Sequence, residues 1–334
     1  MPRAVNPDIT RFILANVEAR PDDIGPLTAK RFGVTRATAS NYLRRLTEEG
    51  LLSARGATRA RSYSLKHLLH IRGMARIEPG AEDDLIWRRE IRPRLDDLPE
   101  TVLGVCQYGF TALVSNALDH SGGSTIAWWM RRDAGSVELG LSDDGAGVFE
   151  TVRRGFGLED DRRALLELAK GGVTTDPDRH VGRGLQLTAR LFDRFSLAAG
   201  RLSHQRDSQG RHLVRRLDAP MGGTTIVLRA DIATTRTLAS VMARQGPGGG
   251  GEVREIPVAL ASFDGEALVS RSQARRLMSR LEDAGRVVLD FAGVEVIGQD
   301  FAHEIFRVFR AAHPATAVTT ANAAPAVRGV IARA

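Results

Sequence analysis

The sequence predicts a multidomain chain of α+β and α/β type, and three observations carry that prediction. A strongly basic helical segment opens the chain, a middle stretch interleaves apolar strands with helices, and a strict strand–helix alternation follows a glycine-rich break. With 43% hydrophobic and 26% charged residues over 334 positions, the composition is that of a globular protein with room for two or three cores. No uncharged apolar run approaches the roughly 18 residues a bilayer span needs, so no membrane partner is expected. The start, MPRAVNPDITRF, lacks a secretory pattern. Cys106 is the only cysteine, which leaves no disulfide framework and no thiolate cluster for zinc. A reducing, cytoplasmic setting is expected. Residues 1–72 hold 13 Lys/Arg against 6 Asp/Glu, which accounts for the whole net charge of +7. A polyanion partner is therefore expected for that segment alone.

Within residues 1–70, DITRFILANVEA places Ile9, Phe12, Ile13 and Val17 on one helical face. A short second helix is expected over 26–31. Thr35 is placed to cap a third, in which Ala39, Tyr42, Leu43 and Leu46 face inward and Arg36, Thr38, Asn41, Arg44 and Arg45 outward. Gly50 ends it, and LLSARGATRARSYSL reads as two strand-like pieces around a turn made basic by Arg55, Arg59 and Arg61. The order, and the run TRATASNYLRRLTEEGLL in particular, resembles a winged helix-turn-helix over about residues 7–66. The resemblance implies double-stranded DNA as partner, with Arg36, Thr38, Asn41, Arg44, Arg45, Arg59 and Arg61 at the interface. A helix fits the major groove, its polar side chains reach base edges, and arginines hold phosphates.

Residues 71–99, with EDDLIWRREIRPRLDDLP interrupted at Pro93, read as a connector helix whose expected role is packing or contact in a homodimer. From 100 to 232 four segments stand out. VLGVCQYGFTALVSNALDHSGG carries an apolar stripe through Phe110, Leu113, Val114, Ala117 and Leu118, with Asn116, Asp119 and His120 beside it. TIAWWMRRDAGSVELGLSDDG reads as two antiparallel strands turning at Asp133–Gly135. HVGRGLQLTARLFDRF is two glycines opening an amphipathic helix, and GGTTIVLRAD is Gly-Thr before a strand. By residue type alone, the acids of DDGAG suit a metal site, a turn, or a grip on a ligand through one carboxylate.

The four segments in this order resemble the GHKL ATP-binding superfamily, which includes gyrase, histidine kinases and anti-sigma kinases. That resemblance implies an α/β sandwich with helices on one face of a mixed sheet, and ATP with Mg²⁺ as ligands. Asn116 matches the asparagine that holds Mg²⁺ against the phosphates, with His120 near the phosphate tail and Asp119 beside them among the nucleotide-binding residues. Asp143 matches the aspartate that accepts from the adenine amino group, Gly145 and Gly147 the close-passing backbone beneath the base. Gly182, Arg183, Gly184 and Leu185 match the second glycine box, whose N–H groups receive phosphate at a helix start. Thr224, or Thr225 beside it, matches the threonine under adenine, and residues 150–181 the mobile lid. Asp144 is expected to be exposed or to help the turn.

One departure bears on chemistry. Hydrolytic members carry a glutamate one helical turn before the asparagine, where this chain has Ala112, so no general base is evident and no catalytic residue is assigned. Gln107 and Tyr108 do not replace it. Binding without rapid turnover is expected, the alternatives being a slow ATPase or a serine/threonine protein kinase of the anti-sigma type.

QGPGGGGE over 245–252 reads as a linker. Residues 253–334 then alternate strand, helix, strand, helix, strand, which calls for parallel pairing. GRVVLDFAGVEVIGQDFAHEIFRVF resembles STAS-like domains attached to such ATPase modules. The serine or threonine phosphorylated in related antagonists is missing, since 297–301 reads Ile-Gly-Gln-Asp-Phe. Asp300 is expected to cap its helix or to mimic a charged state, Asp290 to be structural, and His303 to lie on the surface. The reading is a regulator in which ATP occupancy controls binding to DNA, to a sigma or anti-sigma type protein, or to the STAS-like domain in cis.

Overall fold

Three helices open the chain, α1 (Pro7–Asn16), α2 (Ile24–Phe32) and α3 (Arg36–Glu48), followed by a hairpin of β1 (Leu52–Arg55) and β2 (Ser62–Leu65). The computed structural model describes residues 6–57, 61–78, 80–171, 184–243, 253–262, 266–282 and 284–334. Ile9, Ile13, Val17, Ile24, Leu43, Leu46, Leu52 and Leu65 form a small core of their own. The Thr35 hydroxyl accepts from the Thr38 amide, so the third helix starts where its cap predicts. Tyr42 stays half-buried, because its ring is covered by the Arg45 guanidinium.

The expected connector over 71–99 is not one helix. Its first part belongs to β3 (Leu69–Arg76), an edge strand of the central sheet, and only a π-helical turn (Trp87–Ile91) and a 3-10 turn (Arg92–Arg94) follow. β3 alternates half-buried and exposed residues, the period-2 pattern of a strand with one covered face. Pro93 interrupts the helical ladder that the charged segment would otherwise continue.

The central body comprises α4 (Glu100–His120), β4 (Thr125–Arg132), β5 (Ser136–Asp143), α5 (Val148–Phe156), α6 (Asp161–Lys170), α7 (Gly184–Leu191), β6 (Arg194–Arg206) and β7 (His212–Asp231). Its sheet has the order β3-β4-β5-β7-β6. Every pairing is antiparallel, where a mixed sheet was expected. Short hairpins join β4 to β5 and β6 to β7, and such links impose antiparallel neighbours. Ile126, Trp128, Met130, Leu139, Leu228 and Phe195 are buried in the core that also takes Phe110, Leu113 and Val114 of α4. Helix α4 is the one described helix long and apolar enough to cross a bilayer, and here it is the core helix beneath the sheet.

β6 and β7 run on past the sheet as a two-stranded ribbon, after register shifts at Gly200. His204 and His212 stack there with ring centroids 5.1 Å apart, and His204 Nε2 lies 2.8 Å from His212 Nδ1. Burial pushes both imidazoles down, His204 to about 4 and His212 to about 2. The unfolded chain takes up these protons from about pH 6.5 downward while the native one does not. Stability present above that pH is therefore lost as pH falls toward 4. Thermal midpoints measured across that window should fall in wild type and flatten in His204→Gln/His212→Gln. A variant curve as steep as wild type would reject this assignment.

After α8 (Leu238–Ala243), the C-terminal part holds β8 (Val253–Pro257), α9 (Arg271–Met278), β9 (Arg286–Asp290), α10 (Gln299–His303), α11 (Arg310–Ala312), β10 (Ala317–Ala321) and α12 (Pro325–Ile331). A π-helical stretch, Glu304–Phe309, joins α10 to α11. The sheet order β10-β9-β8 is parallel throughout, as the alternation predicts. Helix α12 was not foreseen. Asp300 does not cap α10: Gly298 holds that position, and the exposed Asp300 carboxylate pairs with Arg271 at 3.1 Å. Asp290 accepts from Ala292 N–H and the Asn322 amide, a structural role as expected. His303 is half-buried instead of lying on the surface, and its Nδ1 is buried without a hydrogen-bond partner.

This C-terminal part shares one continuous apolar core with the central sheet. Lys170, at the end of α6, donates to Glu167 Oε1 at 2.8 Å and to the carbonyls of Arg276 (3.1 Å) and Ser279 (2.8 Å). An ammonium at the C-terminal end of α9 meets carbonyls that lack intrahelical partners. Arg254 also donates to Gly171 O, and Arg280 to Phe156 O.

Candidate functional site

Three chain segments converge at the end of β5. Asp143, its last residue, is buried, and its Oδ1 accepts from the backbone N–H of Gly145 at 3.0 Å and of Thr224 at 3.1 Å. Burial raises its pKa, and those hydrogen bonds oppose the rise. Thr224 Oγ1 accepts from Val148 N–H at 2.9 Å, which ties the strand to the start of α5. Thr225 instead pairs with the Ser142 hydroxyl at 2.9 Å on the opposite side of the sheet. Of the two adjacent threonines, Thr224 is therefore the one at Asp143. Alternation along β7 makes that choice, since neighbours on a strand point to opposite faces.

Gly145 lies against the end of α4, where a Cβ would stand 2.0 Å from Ser121 O. Ala146 N–H donates to that same carbonyl at 3.1 Å. Gly223, the glycine of the Gly-Thr pair in GGTTIVLRAD, has φ +63° and would put a Cβ 1.9 Å from Asp143 O. Only glycine meets both demands. Its place directly before Thr224 in the Gly-Gly-Thr-Thr run, inside β7, was the available signal. Gly147 immediately precedes α5.

Asp144 has a different job from Asp143. Its two oxygens accept from the amides and hydroxyls of Ser124 and Thr125, at 2.7 to 2.9 Å. These bonds hold its carboxyl well below the usual range and clamp the start of β4. Among the described residues no three His, Cys, Asp or Glu side chains group as a metal site.

On α4, Asn116 and His120 are half-buried and Asp119 is exposed, with Ala112 one turn before Asn116. Gly184, exposed, and Leu185, half-buried, open α7, which packs on α4. Gly182 and Arg183 fall outside the described residues. The expected lid divides similarly. Residues 150–170 lie largely in α5 and α6, where Ala164, Leu165, Leu166, Glu167 and Lys170 are buried, and 172–181 fall outside.

In the N-terminal module Arg36, Asn41, Arg44 and Arg61 are exposed, the last with its guanidinium over Tyr63. Two of the residues expected to face outward do not. Thr38 is half-buried against its capping partner Thr35. Arg45 is half-buried and bonds Thr10 and Glu49, because a long side chain one turn from the inward stripe folds back on its own module. Arg59 falls outside the described residues.

Comparison with known families matches residues 273–328 to a STAS-like domain of unknown function, so the C-terminal part of this mixed α/β chain is STAS-like. No protein of curated function matches. Among solved structures the chain is similar to an IcIR transcriptional regulator from Alicyclobacillus acidocaldarius at 14% identity, covering 71% of this chain and 92% of that one. The TM-score is 0.21, too low to carry an argument about fold or function.

Proposed function

We propose that the chain is an ATP-binding, DNA-binding regulator in which nucleotide occupancy of a GHKL-type central domain controls binding to DNA or to a protein partner. The Asp143 carboxylate carries this reading. Two backbone amides hold Oδ1 and the Thr224 side chain also bears on the carboxylate, whose remaining lone pairs can accept a hydrogen bond in a partly desolvated setting, the chemistry an adenine amino group needs. Thr224, Gly145 and Gly147 surround it, and Asn116 on α4 would supply an amide oxygen to Mg²⁺. Mg²⁺ would neutralise phosphate charge there. Ala112 offers no base, which favours retention of ATP over rapid hydrolysis.

The DNA half of the reading is supported by the capped α3, which exposes Arg36, Asn41 and Arg44, and by Arg55 and Arg61 on the adjoining hairpin. In winged helix-turn-helix terms, α3 is the helix that enters the groove. The STAS-like part supplies the in-cis partner. Lys170 plugs the end of α6 into α9, so ordering next to the nucleotide would be felt there, a coupling of about 1–3 kcal/mol.

The test is duplex-DNA affinity with and without Mg-ATP, alongside labelled γ-phosphate. Altered affinity with ATP retained supports the regulator; transfer of label to protein supports an anti-sigma type kinase instead. DNA binding should weaken steeply with salt, and Arg44→Ala should reduce the log–log salt slope by about one. Salt-independent binding would remove the DNA arm of the proposal.

A further inference from the structure

A cavity of about 520 Å³ lies between the central sheet and the STAS-like part. It shares Leu185 with the nucleotide-site residues, but neither Asn116, Asp143 nor Thr224 lines it. One wall is apolar, built from Leu165, Leu168, Phe195 and Leu197. Opposite stand Pro257 and Asp290, the last residues of β8 and β9, with Asn322 just beyond β10. The carboxyl ends of all three parallel strands thus open on it, the place where open α/β sheets receive ligands.

Three arginines, Arg190, Arg206 and Arg236, line it against two carboxylates, Glu255 and Asp290. Arg206 is 9% exposed and spends three of its five N–H groups on backbone carbonyls, those of Ala189, Phe192 and Asp207. Among the described residues no carboxylate lies within ion-pair distance of it, and Asp193 and Asp207 act only from further away. Its neighbours Arg190 and Arg236 are paired, with Glu255 and Asp193. His204 and His212 also line the cavity and are neutral near pH 7. A buried guanidinium without a counter-charge is costly unless an anion completes it.

We propose that this cavity binds a small organic anion with an apolar body, its head at the spare N–H groups of Arg206 and its body against the Leu165–Leu168–Phe195 wall. Such a ligand would bridge the central and STAS-like parts and would be a second input, separate from the nucleotide.

The probe is 8-anilinonaphthalene-1-sulfonate, followed by fluorescence on the full chain, with decanoate and 1-decanol as competitors. One saturable site is expected, with decanoate the better competitor by about tenfold. Leu168→Trp fills the cavity while leaving every arginine in the sequence and should weaken the probe by about tenfold or more at an unchanged thermal midpoint. Arg206→Gln should act likewise, but it also removes the carbonyl contacts at the end of α7, so Leu168→Trp decides if it misfolds. Asp143→Asn should leave the probe untouched. No saturable site, full binding by Leu168→Trp, equal competition by decanol, or displacement by Mg-ATP would each overturn the proposal.

Discussion

Glu167→Gln is expected to destabilise the chain by about 3–5 kcal/mol, because it strips the counter-charge from a buried ammonium. The Lys170 side chain is 1% exposed and that of Glu167 8%, with Nζ and Oε1 2.8 Å apart. The two carbonyls of α9 that complete Nζ are dipoles, and they cannot replace a full charge in a medium of low dielectric. Burial already pulls the lysine's pKa below its ordinary value, and Glu167 is the main opposing influence. A double variant, Glu167→Gln/Lys170→Met, should recover much of the loss, since it leaves no uncompensated charge. Urea midpoints of the two variants give the measurement. A single variant within about 1 kcal/mol of wild type would mean the pair is not a lock between α6 and the STAS-like part.

The second large effect concerns the ligand. Asp143→Asn should weaken ATP by about tenfold or more, roughly the 1–3 kcal/mol lost when a buried polar group is left without its partner. An asparagine can keep Oδ1 toward Gly145 N–H and Thr224 N–H, so the loop should hold its shape. The change then falls on the other atom, where an amide donor would face the adenine amino group and two donors would oppose each other. Calorimetry with Mg-ATP separates the two consequences: affinity should drop while the thermal midpoint moves little. Wild-type affinity in the variant would remove Asp143 from the base-recognition role.

These two residues belong to one connected body. Asp143 ties β5 to Thr224 of β7, Thr224 holds the start of α5, and α5 leads through α6 to Lys170 and thence to α9. Because the central sheet and the STAS-like part share a core, the N-terminal module is the piece set apart. It meets the body through Glu18 with Arg229 at 3.2 Å, and through packing of Ala134 at the β4–β5 turn.

Local patterns settled a good deal of this molecule unaided. Thr35 announced α3, the Asp133–Gly135 turn announced β4 and β5, and the alternation after residue 253 announced a parallel sheet, because caps, turns and periodicity act over a few residues. Which acid of DDGAG is enclosed depends on where Ser124, Thr125 and Thr224 arrive from elsewhere in the chain. So does the choice of Thr224 over Thr225. The strand at Leu69–Arg76 was hidden because Gly73 stands on its covered face and Met74 on its exposed one, which blurs in the residue types an alternation that the burial shows plainly. Arg206, His204 and His212 looked like ordinary polar residues until the β6–β7 ribbon carried them between two layers. Burial and the company of distant side chains are properties of the assembled fold, and short-range patterning does not encode them.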